Sequence, residues 1–201
     1  MPTIHQLPAD GFDALVFDWD GTLADTLAAH YAALSTALSP YGLTVDADWY
    51  ATATGMSTDE AVLWLSRDQD VELPLPLADL VDRCQTAYLD QLDQVREITA
   101  VADIARANHG RVPMAVASGG RRRSIEATMK HLALDELFDA VVAREDVRRG
   151  KPEPDIFLAA AAALGVPPAR CIVLEDSEAG IAAADRASMT VIDIRRNLHH
   201  A

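Results

Sequence analysis

The sequence predicts an α/β fold: a doubly wound, Rossmann-like parallel sheet core with a small inserted α-helical domain. Three observations carry that expectation. Short, unalternated apolar runs recur along the chain, helical patterns fall between them, and one long interval after the first run contains no convincing strand. An unalternated run is what a parallel strand buried on both faces requires.

In order, residues 14–17 (ALVF) form the first such strand. The long interval follows. Leu27, Tyr31, Leu34 and Leu38 make a helical stripe, and further helices are expected near 59–68 and 77–95, with Pro74 and Pro76 punctuating the gap. This stretch is too apolar to stay unfolded, so it reads as a helical insertion rather than a linker. Met56 and Trp64 are expected to pack it. A helix then runs from about Ile98 to Asn108 and stops at Gly110. Residues 113–117 (PMAVA) are the next strand, and Ser124 to Leu134 is helical, with Ile125, Met129 and Leu132 at i, i+4 and i+7. Residues 140–143 (AVVA) return to strand. The segment PDIFLAAAAALG opens on Pro154 and closes on Gly165, the expected asymmetry of helix ends. Residues 171–174 (CIVL) and 190–194 (TVIDI) are the last strands. Strands alternating with helices give a parallel sheet with right-handed crossovers. The expected division is a core of residues 1–25 and 97–201 and a helical cap of residues 26–96.

Composition narrows the function classes. A chain of 201 residues with net charge −14 can bury a sizeable core but opposes nucleic-acid binding, which depends on Lys and Arg neutralising phosphates. Cys84 and Cys171 sit far apart in apolar surroundings and read as reduced core thiols. No run approaches a membrane span, and the first residues show no basic stretch leading into an apolar one. The expectation is a soluble cytoplasmic protein, monomeric by default, whose partner is a small molecule.

The strand ends hold the chemistry. In open α/β sheets, ligands bind outside the carboxyl ends of the strands. The first strand ends in Asp18-Trp19-Asp20-Gly21-Thr22, the second in Ser118-Gly119-Gly120, and the fourth in Glu175-Asp176-Ser177. The third is followed by a loop with Lys151 between Gly150 and Pro152. Carboxylates at two strand tips are the hard oxygen ligands Mg²⁺ prefers. A serine, the backbone N–H groups around Gly119 at a helix start, and a lysine suit the oxygens of a phosphoryl group. In such a site Asp18 stays ionised and can attack phosphorus, forming an aspartyl-phosphate. Asp20, two residues on, can protonate the departing ester oxygen and later take a proton from water. Gly21 lets the chain turn away without a Cβ in the site.

Four motifs stand in order at suitable spacing: DWDGT, VASGG, GKPEPDIF and VLEDSEAGIAAA. With them the chain resembles the haloacid dehalogenase (HAD) superfamily of phosphohydrolases, in the branch of β-phosphoglucomutase and the small sugar-phosphate phosphatases. The short cap, the PMAV strand and the end soon after VIDIR are most similar to the fructose-1-phosphate and 6-phosphogluconate phosphatase-like group. The resemblance implies Asp18 as nucleophile, Asp20 as acid/base, and Ser118 and Lys151 as phosphate binders. It implies Mg²⁺ on Asp18, the Asp20 carbonyl and Asp176, with Glu175 nearby, Gly119 and Thr22 on the substrate side, and a helical cap over the substrate.

Several residues carry an alternative use. Asp18 and Asp20 suit a turn after a strand, Ser118 suits a helix cap, and Glu175 or Asp176 could cap the helix through Ile181. His30 falls where β-phosphoglucomutase also carries a histidine near the substrate, and packing on the helix is its other reading. Asp25 and Thr26 suit a hinge. Arg121 to Arg123 form a basic run at a helix start, and His199-His200 is too short a run to argue for a metal. Among functions, a phosphatase acting on a small phosphorylated metabolite leads. A phosphomutase needs a second anion site in the cap, yet no lysine lies between Leu27 and Glu97, and Gly55-Met56-Ser57-Thr58 lacks the arginine of the mutase pattern. Only Arg67, Arg83 and Arg96 remain there as cations of that kind. A dehalogenase has no use for the acid at Asp20. A non-catalytic binding protein on the same fold would be signalled by loss of a motif residue, and none is lost.

Overall fold

The computed structural model describes residues 7–8, 11–53 and 56–198, so Gly55 and the His199-His200 pair lie outside the described residues. In chain order the elements begin with β1 (Ala14–Phe17), β2 (Ala24–Asp25), α1 (Leu27–Leu38), α2 (Ala47–Thr52), α3 (Thr58–Asp68) and α4 (Leu77–Leu89). They continue with β3 (Arg96–Glu97), α5 (Thr99–Asn108), β4 (Met114–Ala117), α6 (Arg122–His131), β5 (Ala140–Val142) and α7 (Asp155–Leu164). The last are β6 (Cys171–Glu175), α8 (Glu178–Arg186), β7 (Thr190–Asp193) and α9 (Arg195–Leu198). The chain divides into two compact units, one of residues 1–25 and 96–201, the other of residues 26–95.

The first unit is the α/β core. Its sheet has the order β5-β4-β1-β6-β7, and every neighbouring pair is parallel. Central β1 is fully buried from Ala14 to Phe17, as its unalternated sequence requires. Ala14 and Val16 pack with Ile156, Phe157, Ala160 and Ala161 of α7 and with Ala183 and Ala184 of α8. Leu15 and Phe17 point to the other face, where Phe17 meets the ring of Phe138 edge-on at 5.6 Å. Gly165 closes α7 in the left-handed conformation at φ 68°.

The second unit is helical. Its core gathers Leu34, Leu38, Leu43, Val62, Leu65 and Leu80 with Cys84, and Trp64 leans on Trp49 at 5.4 Å. Ser57 caps α3 in a reciprocal capping box with Glu60. Both cysteines are buried free thiols, and burial pushes that of Cys84 up to about 12. Among the described residues no helix is long and apolar enough to cross a membrane.

Four local expectations need correction. The interval after β1 is not free of strand: β2 and β3 pair antiparallel, Ala24 with Glu97 and Asp25 with Arg96. Helix α4 stops at Leu89 and a 3₁₀ turn covers Leu92–Gln94, so the helix near 77–95 is shorter than its pattern suggests. Leu27 and Met56 are exposed rather than packed, and the apolar cluster of the helical unit takes Tyr31, Leu34 and Leu38 from α1. Leu132 caps α6, and the fully buried place falls to Leu134 after Ala133 reverses the chain at φ 54°.

Candidate active site

Parallel pairing puts the carboxyl ends of β4, β1 and β6 side by side, so the residues that follow these strands share one edge of the sheet. The Asp18 N–H donates to the Leu174 carbonyl at 3.0 Å, which carries the ladder one residue beyond β1. The Ser118 N–H does the same toward Val142 at 3.0 Å. After Asp18 the chain folds back tightly: the Trp19 carbonyl accepts from the N–H groups of Thr22, Leu23 and Ala24. Gly21 makes this turn possible at φ 82°, a left-handed value costly to any residue with a Cβ. Its missing side chain matters as much, since a Cβ there would lie 2.3 Å from Asp176 Oδ2.

Lys151 joins two of the strand ends. Its Nζ donates to Asp18 Oδ1 at 2.5 Å and to Glu175 Oε2 at 2.6 Å. The other Glu175 oxygen accepts from the Asp176 N–H (3.0 Å), the Ser177 N–H (2.9 Å) and the Ser177 hydroxyl (2.9 Å). Glu175 is fully buried, and this set of donors is what makes a buried carboxylate tolerable. Carboxylate oxygens of Asp18, Glu175 and Asp176 lie within 4.8 Å of one another. Asp18 and Glu175 share one ammonium, and with all three carboxyls ionised the cluster carries a formal excess of two negative charges.

The ionisation equilibria report that excess. Burial, and then the nearby Glu175 charge, holds the Asp18 carboxyl well above the usual carboxylate range despite the counterion Lys151. Burial also opposes the charged form of Lys151, but Asp18 and Glu175 outweigh it and raise its affinity for the proton. Glu175 goes the other way: burial penalises its charge, and Lys151 more than compensates. Asp176 is pushed up to about 6, by burial first and by Glu175 second. The cluster therefore seeks positive charge. An all-oxygen donor set with a double negative excess fits a hard divalent cation.

A pH dependence follows for the metal-free protein. Because the folded Asp176 carboxyl lies near 6 rather than at 3.8, its contribution to stability is full below 3.8 and is lost as pH rises through about 6. The Tm measured in chelator should fall across that window, and Asp176→Asn should flatten the slope.

The remaining expected residues are placed as follows. The Asp20 carboxylate accepts from the Ser118 hydroxyl at 3.1 Å and is not one of the three clustered carboxylates. Ser118 Oγ in turn accepts from the Gly120 N–H at 2.9 Å. Thr22, expected on the substrate side, is fully buried and donates to Asp176 Oδ1 at 3.2 Å, which orients that carboxylate. Gly119 has open space where a Cβ would stand. His30 belongs to the helical unit, where its ring stacks on Tyr88 at 4.2 Å. Arg122 is tied to the Val141 carbonyl and to Asp146 and Glu126. Helix α8 is capped by Ser177, whose oxygen accepts from the Gly180 N–H, and not by Glu175 or Asp176. Sequence reasoning missed two close approaches. Gly120 would bring a Cβ to 3.1 Å from Ser118 Oγ and 3.2 Å from Asp20 Oδ2, and the paired glycines after Ser118 were the available signal. Gly180 approaches Glu175 more closely still, and a glycine inside the helical part of the fourth motif was the available signal.

Known proteins of one family resemble this chain over nearly its whole length. The family model described as haloacid dehalogenase-like hydrolase matches residues 15–194. Fructose-1-phosphate phosphatase YqaB of Escherichia coli is 37% identical over 187 residues, covering 92% of this chain and 97% of that protein. β-Phosphoglucomutase of Bacillus subtilis is 28% identical over 188 residues, covering 90% of this chain and 82% of its own. A crystal structure of a CbbY variant from Rhodobacter sphaeroides in complex with xylulose-(1,5)bisphosphate superposes with TM-score 0.84 at 29% identity, covering 90% of this chain and 85% of that one. With its motifs on adjacent strand ends and the family match spanning nearly its whole length, the chain belongs to the haloacid dehalogenase-like hydrolases.

Proposed function

We propose that this phosphoric monoester hydrolase is a Mg²⁺-dependent sugar-phosphate phosphatase working through an aspartyl-phosphate on Asp18. The observation that carries the reading is the Lys151 ammonium, held between Asp18 and Glu175 inside the acidic cluster. It offsets part of the burial cost that opposes the charged form of this nucleophilic carboxylate, and the cation sought by the cluster would supply the rest.

Asp18 and Asp176, with the Asp20 carbonyl, are the groups that would hold Mg²⁺, and Glu175 stands beside them holding Lys151. When bound, the ion supplies positive charge to the phosphoryl oxygens. In the first step an Asp18 oxygen forms a bond to phosphorus while the bond from phosphorus to the ester oxygen breaks, and Asp20 gives that oxygen its proton. In the second, Asp20 takes a proton from water, the water oxygen attacks phosphorus, and the Asp18 carboxylate is released with inorganic phosphate. One residue serving as acid and then base leaves the enzyme in its starting state. Lys151 and Ser118 receive the phosphoryl oxygens, Ser118 by turning its hydroxyl from Asp20. The helical unit of residues 26–95 is proposed as a cap, with His30 as its candidate substrate contact. The location is proposed to be the cytoplasm and the form a monomer.

Identity to a fructose-1-phosphate phosphatase supports a small sugar phosphate as substrate. A mutase must also grip a second phosphate, and the segment from Leu27 to Glu97 has no lysine for it. Arg83, one of its arginines, stands over the Tyr41 ring at 5.7 Å. The test is phosphate release from fructose 1-phosphate, 6-phosphogluconate, β-glucose 1-phosphate and phosphoglycolate with Mg²⁺ and with EDTA. Release that EDTA abolishes is expected. Unchanged rates in EDTA would remove the metal, and stoichiometric isomerisation of glucose 1-phosphate without released phosphate would favour the mutase.

A further inference from the structure

We propose that Gly180 is a positioning residue for Lys151: the space left by its missing side chain is where the Glu175 carboxylate lies, and that carboxylate holds the ammonium on Asp18. The proposal rests on reading Asp18 and Lys151 as the reacting pair.

Gly180 lies in the first turn of α8 and is buried. Its φ is not among the left-handed values, so the backbone there gives no reason for glycine, and alanine is the better helix former. The reason lies across the turn. A Cβ on Gly180 would stand 1.9 Å from Glu175 Oε2, 2.0 Å from Cδ and 2.6 Å from Cγ, and its three nearest atoms all belong to Glu175. Clashes with the end of a glutamate are normally relieved by rotating the side chain. Here the side chain is fully buried and held by four donors, one of them Lys151, so rotation gives up the grip on the ammonium. The Gly180 N–H also supports the same carboxylate, through the Ser177 hydroxyl at 3.0 Å. Alanine would keep that N–H, so the substitution changes only the space and the helix propensity, which a second background separates.

The test is a double-mutant cycle of Gly180→Ala with Glu175→Ala, read by Tm in chelator and by phosphate release with Mg²⁺. Gly180→Ala alone should lower Tm and cut kcat about 100-fold, the scale of a catalytic group displaced by an ångström. In the Glu175→Ala background the same change should raise Tm by about 2 °C, since only the gain in helix propensity remains. That reversal of sign is the signature, because a glycine needed for any other packing contact would destabilise both backgrounds alike. Equal signs in the two backgrounds, or wild-type turnover by Gly180→Ala, would overturn the proposal. If Gly180→Ala is recovered only as aggregate, a soluble double variant supports it and an insoluble one overturns it. A wild-type protein inert toward phosphate esters would count against the chemistry assigned to Asp18 alone, and the reversal in Tm would still report the steric link.

Discussion

Asp18→Asn is expected to cut phosphate release by at least about 10⁴-fold, the scale seen when an enzyme loses its nucleophile, while the protein stays folded. Asparagine has nearly the same shape, so the ladder bond from residue 18 to Leu174 and the burial of the site survive. What goes is the anionic oxygen that attacks phosphorus. Stability should move little or rise in metal-free protein at neutral pH. The wild-type carboxyl is held above its ordinary range, so the fold bears a cost for keeping it ionised that the amide does not. Lys151 keeps Glu175 as its counterion in the variant. Mg²⁺ should raise the variant's Tm less than the wild type's, because one of three clustered carboxylates is gone. Wild-type-like hydrolysis by the variant would remove Asp18 as nucleophile.

Most of the core was legible because its strands are short, apolar and parallel. Runs such as ALVF and CIVL need no partner to be recognised, and a polar residue just beyond each marks the edge where ligands bind. Much of the remainder depends on residues meeting from far along the chain. Thr22 lies 154 positions from the carboxylate it orients, and nothing local separates that hydroxyl from one aimed at a substrate. Asp20 and Ser118, 98 positions apart, were each expected to act on the substrate, and their mutual hydrogen bond appears only once β1 and β4 pair. The two-residue strands β2 and β3 are too short for a period-two pattern and carry charges at three of their four positions. Gly180 is a different case, since a glycine inside a helical stretch signals a close approach without naming the partner, and its role depends on a side chain five residues earlier.

Lys151→Met should be damaging in a way that Asp18→Asn is not. Methionine is one atom shorter but keeps an unbranched, apolar stem, so most of the packing stays while the nitrogen that stands 5.1 Å from the Phe157 ring centre is lost with its charge. Asp18 and Glu175 are then buried without their cation. Stranding one side of a buried pair costs about 3–5 kcal/mol. Tm of the metal-free variant should therefore fall well below that of wild type at neutral pH. The deficit should shrink as pH is lowered. Carboxyls that have lost their cation bind protons more readily in the fold than in the unfolded chain, and a raised carboxyl contributes stability on the acid side of its titration. Turnover should drop by about 10²–10³-fold, the usual loss when a preorganised electrostatic partner is removed. The decisive comparison is between the two variants in chelator at pH 7. If Lys151→Met is as stable as Asp18→Asn there, the ammonium is not what reconciles the buried carboxylates, and the charge balance assigned to this site is wrong.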